Sequence, residues 1–531
     1  MNRPLAGAAA VTLISAVVLI ATAGDYGLTW DEPVYVTSAR KVAGWFREMP
    51  SRGIRASVQD ERLLESWIFA RPENFNLPVP VLISCLGDMI GHRWLSPLVS
   101  YRLGHCLLMA VTLGIVFYHL ASRHGWEVAC VSAGSLLLMP HVFAHAHLNA
   151  TDVPVSCFWV LAIVAWLGSK PSWTGGLLTA AACGLGLATK ATFVLVPALL
   201  AGWTLVTRRW GWWRAGVTVL VVSPLVMLAL CPMWWAAPVS RSIAYFQTVF
   251  HPKEQWQTEI YYLRQVYFGS LPWHNGLVLP AVSTPPWTLA LALVGAAGWL
   301  RTRDPGTALW ALGAAVFPVL RMLPNTPAHD GTRLMLPSIF CFAPLAGFGF
   351  IGLADWLRFL SQGKYHRIAR WLLIVVLLSA SGAAIVSMHP YEMSYYSEVI
   401  GGLPGAVRLG FEVSYWFDAY TPATLQEVQA RLPKGARVWT FPPYAGYDLL
   451  REWGMWRSDL AGPDPGDTGF ADYLVLYSRL GWFPVITDMD RFFEQKPPIW
   501  SLKCRGVQLV GLYSASTLRR TPARPHPDFP E

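Results

Sequence analysis

The sequence predicts an α-helical polytopic membrane protein, with about eleven transmembrane helices followed by a small C-terminal α/β domain outside the membrane. Three observations predict it. The 531 residues are 54% hydrophobic and only 14% charged, where a soluble domain carries about 25% charged residues. Apolar runs able to cross a bilayer recur up to residue 388 and then stop. The net charge of +9 is spread as short basic clusters between those runs, the pattern of the positive-inside rule. A nucleic-acid surface would gather its cations in one block or patch, so no nucleic-acid partner is expected.

The runs fall near 5–23, 98–120, 126–144, 153–169, 174–189, 191–207, 215–235, 286–300, 307–323, 333–356 and 371–388. A span needs about 20 residues. Ala21-Thr22-Ala23 resembles a signal-peptide cleavage site. The run before it, about 19 residues, better suits a retained first helix. Pieces around 77–91 and 238–280 are broken by Pro and Gly and read as interfacial or re-entrant. With the N-terminus inside, the inner loops carry Arg3, Arg123, Lys170, Arg208, Arg209, Arg214, Arg301, Arg303, Arg358, Lys364, Arg367 and Arg370. Every inner loop is therefore basic, as orientation requires. The outer side then holds Asp31, Glu32, Asp152, Lys190, residues 241–285, Asp330 to Arg333, and everything after residue 388.

Eight cysteines are present and none forms a C-x-x-C pair. Most sit in apolar runs and read as small buried hydrophobes. In the tail, 436–441, 472–478 and 506–514 read as strands. Residues 421–432 read as a helix opened by Thr421 and Pro422. The division is residues 1–388 in the membrane, 389–515 as the outer domain, and 516–531 as a disordered tail.

Several outer residues carry chemistry. A carboxylate at a membrane surface serves as a general base, so Asp31 and Glu32, just after the first run, are candidates. Pro33 also fits a helix start, and a capping role for the pair stays open. Asp152 opens the fourth run as a second carboxylate or as a cap. His141, His145, His147 and Asp152 lie close enough in sequence to hold a divalent cation. The metal candidates are Asp31, His147 and Asp152, with no cofactor assigned. Lys190 stands between two apolar runs, where an amine needs a partner such as a phosphate. Residues 261–289 combine Tyr, Trp and Pro with Arg264, Trp273, His274 and Asn275. That composition suits an interfacial belt or a sugar-binding surface. Asp330 and Arg333 sit at the mouth of the tenth run, and Arg offers planar paired donors to phosphate.

Taken in order, Trp30–Glu32, His145 to Pro154, Pro272–His274, Thr284–Trp287 and His329–Arg333 resemble the GT-C class of glycosyltransferases. The likeness is to bacterial family 39-like enzymes, of the protein O-mannosyltransferase and aminoarabinose-transferase kind. Residues 389–402 and 415–420 resemble the start of that family's tail. The resemblance implies a GT-C-like fold, a polyprenyl-phosphate-linked sugar donor, and transfer with inversion to an acceptor hydroxyl on a protein, lipid or glycan. It implies a bacterial inner-membrane location with an extracytoplasmic site. By the same resemblance Asp31 is the general base, Glu32 its neighbour in the acceptor pocket and Asp152 a second pocket carboxylate. Lys190 and Arg333 hold the donor phosphate, and Arg264 is grouped with them. His145, Trp273, His274, Asn275 and Asp330 line the pocket. Many relatives carry His after the late Arg, whereas Leu334 stands here. The alternatives are a transporter of a lipid or anionic solute and a non-catalytic membrane scaffold. A transporter would place its charges near the midplane of paired halves, and no repeat is visible.

Overall fold

The structure is a computed structural model and describes residues 3–67, 77–250, 258–360, 366–462, 471–485 and 496–515. The expected disordered stretch 516–531 lies outside the described residues. Six helices are long and apolar enough to cross a membrane: Arg3–Thr22, Pro97–His124, Trp210–Leu230, Pro305–Met322, Arg333–Trp356 and Arg367–Met388. Trp126–Leu137 and Pro140–Ala146 form an apolar pair bent by 68°, the geometry of a broken span or a re-entrant loop. The chain is a multi-pass membrane protein.

Eleven full-length spans are not found among the described residues. Pro140 restarts the 126–144 run in a new direction, because it cannot continue the helix before it. Asp152–Gly168, Leu177–Leu187, Leu195–Thr207 and Pro286–Thr302 are 17, 11, 13 and 17 residues long. Asp152–Gly168 is buried along nearly its whole length. A helix enclosed by other helices need not match the bilayer thickness on its own.

Local signals set the helix ends. Pro97 lies in the first turn of Pro97–His124, and the Ser96 side chain accepts from the Val99 amide. Gly125, at φ +92°, stops that helix in a conformation other residues resist. Helices Pro286–Thr302 and Leu336–Leu360 pack together where Gly295 and Gly349 meet. A Cβ on Gly349 would stand 1.9 Å from the Leu291 carbonyl oxygen. Only a small residue permits that backbone approach.

The tail carries a four-stranded sheet in the order Val438–Phe441, Tyr473–Tyr477, Val507–Ser514, Trp500–Cys504. The first pair is parallel, with Val438 opposite Tyr473. The other two pairs are antiparallel. Three of these strands and the Pro422–Gln429 helix, capped by Thr421 as expected, lie where the sequence put them. The Trp500–Cys504 strand and an antiparallel hairpin, Glu259–Tyr262 with Gln265–Phe268, do not appear in the sequence reading. One hydrophobic core runs from the membrane helices into the tail, and a second, small cluster around Phe441, Leu474, Leu476 and Phe483 lies against the sheet.

The tail is clamped to the loop that follows the first helix. The Gly27 amide donates to Asp418 O (2.9 Å), the Trp30 amide to Trp416 O (3.2 Å), and Tyr444 Oη to Leu28 O (2.6 Å). At the end of the last span, His389 bonds Glu392 through Nδ1 (2.8 Å) and Asp25 through Nε2 (3.0 Å). Tyr26 Oη donates to Glu392 (2.8 Å). The Glu392 hydrogen bond and then Asp25, against the opposing effect of burial, raise the His389 pKa from 6.5 to about 9. A raised histidine pKa means stability that is fully present below pH 6.5 and lost as pH rises through 9. His389→Gln should flatten the fall in thermal midpoint between those pH values, measured on the purified chain in detergent.

Candidate active site

Four side chains from four parts of the chain meet in one ionic cluster. Arg333 Nη2 lies 2.6 Å from Asp31 Oδ2, and Arg333 Nε lies 2.9 Å from Asp152 Oδ2. Lys190 Nζ lies 2.8 Å from Asp152 Oδ1. The Arg333 guanidinium stacks on the Trp416 ring at 3.6 Å. Sequence separations of up to 302 residues are closed here.

The local fold explains why each group points inward. Asp31 precedes the Glu32–Arg52 helix and Asp152 opens Asp152–Gly168, yet neither helix start shows a side-chain cap bond. Both carboxylates spend their bonds on the cluster instead, so the capping readings fail. Lys190 is held in extended backbone between two apolar helices. Arg333 stands on a short 3-10 turn before Leu336–Leu360.

Exposure divides the roles. Asp152 is 1% exposed and both its oxygens are bound, whereas Asp31 is 32% exposed. Asp31 Oδ1 and Arg333 Nη1 have no partner among the described residues. An open carboxylate oxygen and an open guanidinium nitrogen therefore sit on two sides of one ion pair. Asp152 orients both cations and is itself closed off. Two carboxylates balance two cations in the cluster.

Glu32 requires a correction. It is buried and faces away from solvent. Arg102 Nε and Nη2 bind its two oxygens at 2.8 and 2.6 Å. The Thr29 amide and hydroxyl and the Asn149 amide also donate to it. Arg102 further donates to the carbonyls of Ala23, Tyr26 and Gly27. With its oxygens so occupied, Glu32 cannot line an acceptor pocket; it fixes the loop that presents Asp31.

Other expected residues lie around the cluster rather than in it. Arg264 occupies the hairpin turn at φ +65°. Its amide donates to Gly410 O (3.0 Å) and its Nη2 to Arg408 O (2.6 Å). It is tied to the tail backbone and not grouped with Lys190 and Arg333. Asp330 pairs with Arg479 at 3.0 Å. Burial raises its pKa, with Arg479 and Arg333 pulling the other way. His145 Nε2 meets Tyr415 Oη at 3.4 Å, and its ring lies 5.5 Å from Trp416, behind the cluster. His274 Nδ1 bonds Tyr262 Oη (2.8 Å), and buried Asn275 accepts from Arg321 (2.9 Å). Trp273 is exposed.

The cation-site candidates do not converge. His147 bonds Thr22 Oγ1 through Nε2 (2.8 Å) and Phe143 O through Nδ1 (2.7 Å), leaving neither nitrogen for a metal. Among the described residues no group of three His, Cys, Asp or Glu has metal-binding geometry.

Sequence reasoning missed Arg102, Trp416 and Arg479. Arg102 carried a usable signal, since a charge inside an apolar helix marks a partner or a function. Trp416 lay in the 415–420 stretch that resembles the family's tail, but its place under Arg333 carried no signal; Arg479 carried none, being one cation among several in the tail.

Residues 94–235 match the family described as dolichyl-phosphate-mannose-protein mannosyltransferase. Two solved structures of ArnT from Cupriavidus metallidurans, one bound to undecaprenyl phosphate and one apo, share the fold. Each has a TM-score of 0.51 and covers 96% of this chain and 98% of its own; the identities are 17% and 16%. The oligosaccharyltransferase from Archaeoglobus fulgidus gives a TM-score of 0.49 at 10% identity, over 88% of this chain and 69% of its own. No curated protein matches the chain in sequence. The resemblance to GT-C glycosyltransferases of the protein mannosyltransferase and ArnT kind thus holds in fold along the chain and in sequence over 94–235.

Proposed function

We propose that the chain is an integral-membrane glycosyltransferase. It moves a sugar from a polyprenyl-phosphate donor to an acceptor hydroxyl, with inversion, on the extracytoplasmic side. The observation that carries this reading is the cluster of Asp31, Arg333, Asp152 and Lys190. The fold shared with an ArnT that binds undecaprenyl phosphate adds support for the donor's lipid phosphate.

Asp31 Oδ1 takes the proton of the acceptor hydroxyl. The acceptor oxygen bonds to the anomeric carbon as the bond from that carbon to the phosphate oxygen breaks. The electron pair leaves with the phosphate, which departs as polyprenyl phosphate. This leaving group needs no strong acid, only cations aimed at the charge it gains. Arg333 Nη1 and the Lys190 ammonium fill that part, with Asp152 holding both in place. Attack from the side opposite the phosphate inverts the anomeric centre. Clustering of the charges at one end of the helices supports a transferase over a transporter, whose ionisable groups would line a path.

Lys190→Met tests the phosphate assignment. Donor affinity should fall about tenfold, the loss of one charge-assisted hydrogen bond, as read from the KM for a polyprenyl-phosphate sugar. An unchanged KM with a lowered kcat would place Lys190 on the acceptor side instead.

A further inference from the structure

A second polar site lies at the far end of the same helices. Arg102 and Arg123 belong to one helix, Pro97–His124; at 1.5 Å per residue they are about 30 Å apart. Likewise Asp152 opens the helix that ends past Leu167. Asp304 begins the helix whose other end, Arg321, binds Asn275. Arg123, Leu167 and Asp304, with His119, His124, Trp203, Arg209 and Trp212, surround a cavity of about 310 Å³. That volume is at the low end of small-molecule sites, ~300–1,000 Å³.

Its chemistry is of mixed sign. Arg123 and Arg209 have no carboxylate partner among the described residues. Asp304 caps its helix with one oxygen only: Oδ2 accepts from the Thr307 amide (2.7 Å) and hydroxyl (2.9 Å). Its Oδ1 has no partner among the described residues. Trp203 is pinned by a bond from Nε1 to Pro305 O (2.7 Å), and its ring lies 5.4 Å from that of Trp212. Two guanidiniums suit a phosphate. A free carboxylate oxygen beside aromatic faces suits an ammonium. Leu205, Val206, Trp210 and Trp213, next to the cavity in sequence, are exposed apolar surface. They offer lipid chains a wall of the kind that aromatic belts form at the interface.

We propose that this cavity holds the headgroup of a phosphoethanolamine phospholipid. Arg123 and Arg209 bind its phosphate, Asp304 Oδ1 accepts from its ammonium, and its chains lie along the exposed apolar residues. The reading does not depend on the transferase chemistry at the other end.

Native mass spectrometry of the full chain in detergent tests it. Phosphatidylethanolamine, phosphatidylcholine and phosphatidylglycerol with identical acyl chains are added separately, with soluble phosphoethanolamine as a further arm. The wild-type chain should retain phosphatidylethanolamine at least tenfold better than the other three. R123A/R209A should lose that retention at least tenfold. Asp304→Asn, which still caps the helix, should keep lipid binding but lose the preference for ethanolamine over glycerol. Equal retention of the three lipids by the wild-type chain would overturn the proposal even if the double variant did not fold. Unchanged retention by a folded double variant would also overturn it. Binding of soluble phosphoethanolamine as tight as that of the lipid would show a soluble phosphate ligand and overturn the lipid assignment.

Discussion

Asp31→Asn is expected to lower sugar transfer by about 10²–10⁴-fold, the usual contribution of a placed general base. Donor binding should remain intact or tighten, because Arg333 would lose a carboxylate that competes with the phosphate. The geometry behind this split is specific. Asp31 offers an open Oδ1 while its Oδ2 holds Arg333. Asparagine keeps the size of the side chain and its bond to the guanidinium but cannot take a proton. Single-turnover rates and donor affinity on one preparation separate the two effects. A wild-type rate in the variant would remove Asp31 from the chemistry.

Arg102→Met is expected to act on stability instead. It leaves the Glu32 carboxylate buried beside three backbone carbonyls that also lose their donors. Breaking one side of a buried ion pair costs about 3–5 kcal/mol. Most of the protein should therefore be lost from the monodisperse fraction on size exclusion in detergent. The double variant Glu32→Gln with Arg102→Met removes the stranded charge and should recover part of the loss. If Glu32 instead served the acceptor pocket, Glu32→Gln alone would slow transfer at unchanged stability.

Much of the cluster was legible because its members interrupt apolar sequence. Asp31, Asp152, Lys190 and Arg333 each stand at the end of an apolar run, and alternating the runs across a bilayer puts all four on one side. Their mutual pairing was not legible, since helix packing decides which ends meet. Asp31 and Glu32 look equivalent in sequence, yet one is part-exposed beside Arg333 and the other is buried against Arg102. The difference depends on the Arg102 position, set by packing of Arg3–Thr22 against Pro97–His124. The hairpin at 259–268 was hidden because its turn residues, Leu263 and Arg264, take positive φ without the Asn-Gly or Asp-Gly pair that marks such turns. Among the described residues six helices and one bent pair are long and apolar enough to span, fewer than the eleven runs, because hydropathy measures apolar length. It cannot tell a helix facing lipid from a short one enclosed by its neighbours.

The most direct test of the central claim is release of free polyprenyl phosphate from a panel of polyprenyl-phosphate sugars, with membranes carrying the wild-type chain or Asp31→Asn and an acceptor-containing extract. The account predicts release from one donor by the wild-type chain and at least a hundredfold less by the variant. No release from any donor, with both proteins folded, would contradict it.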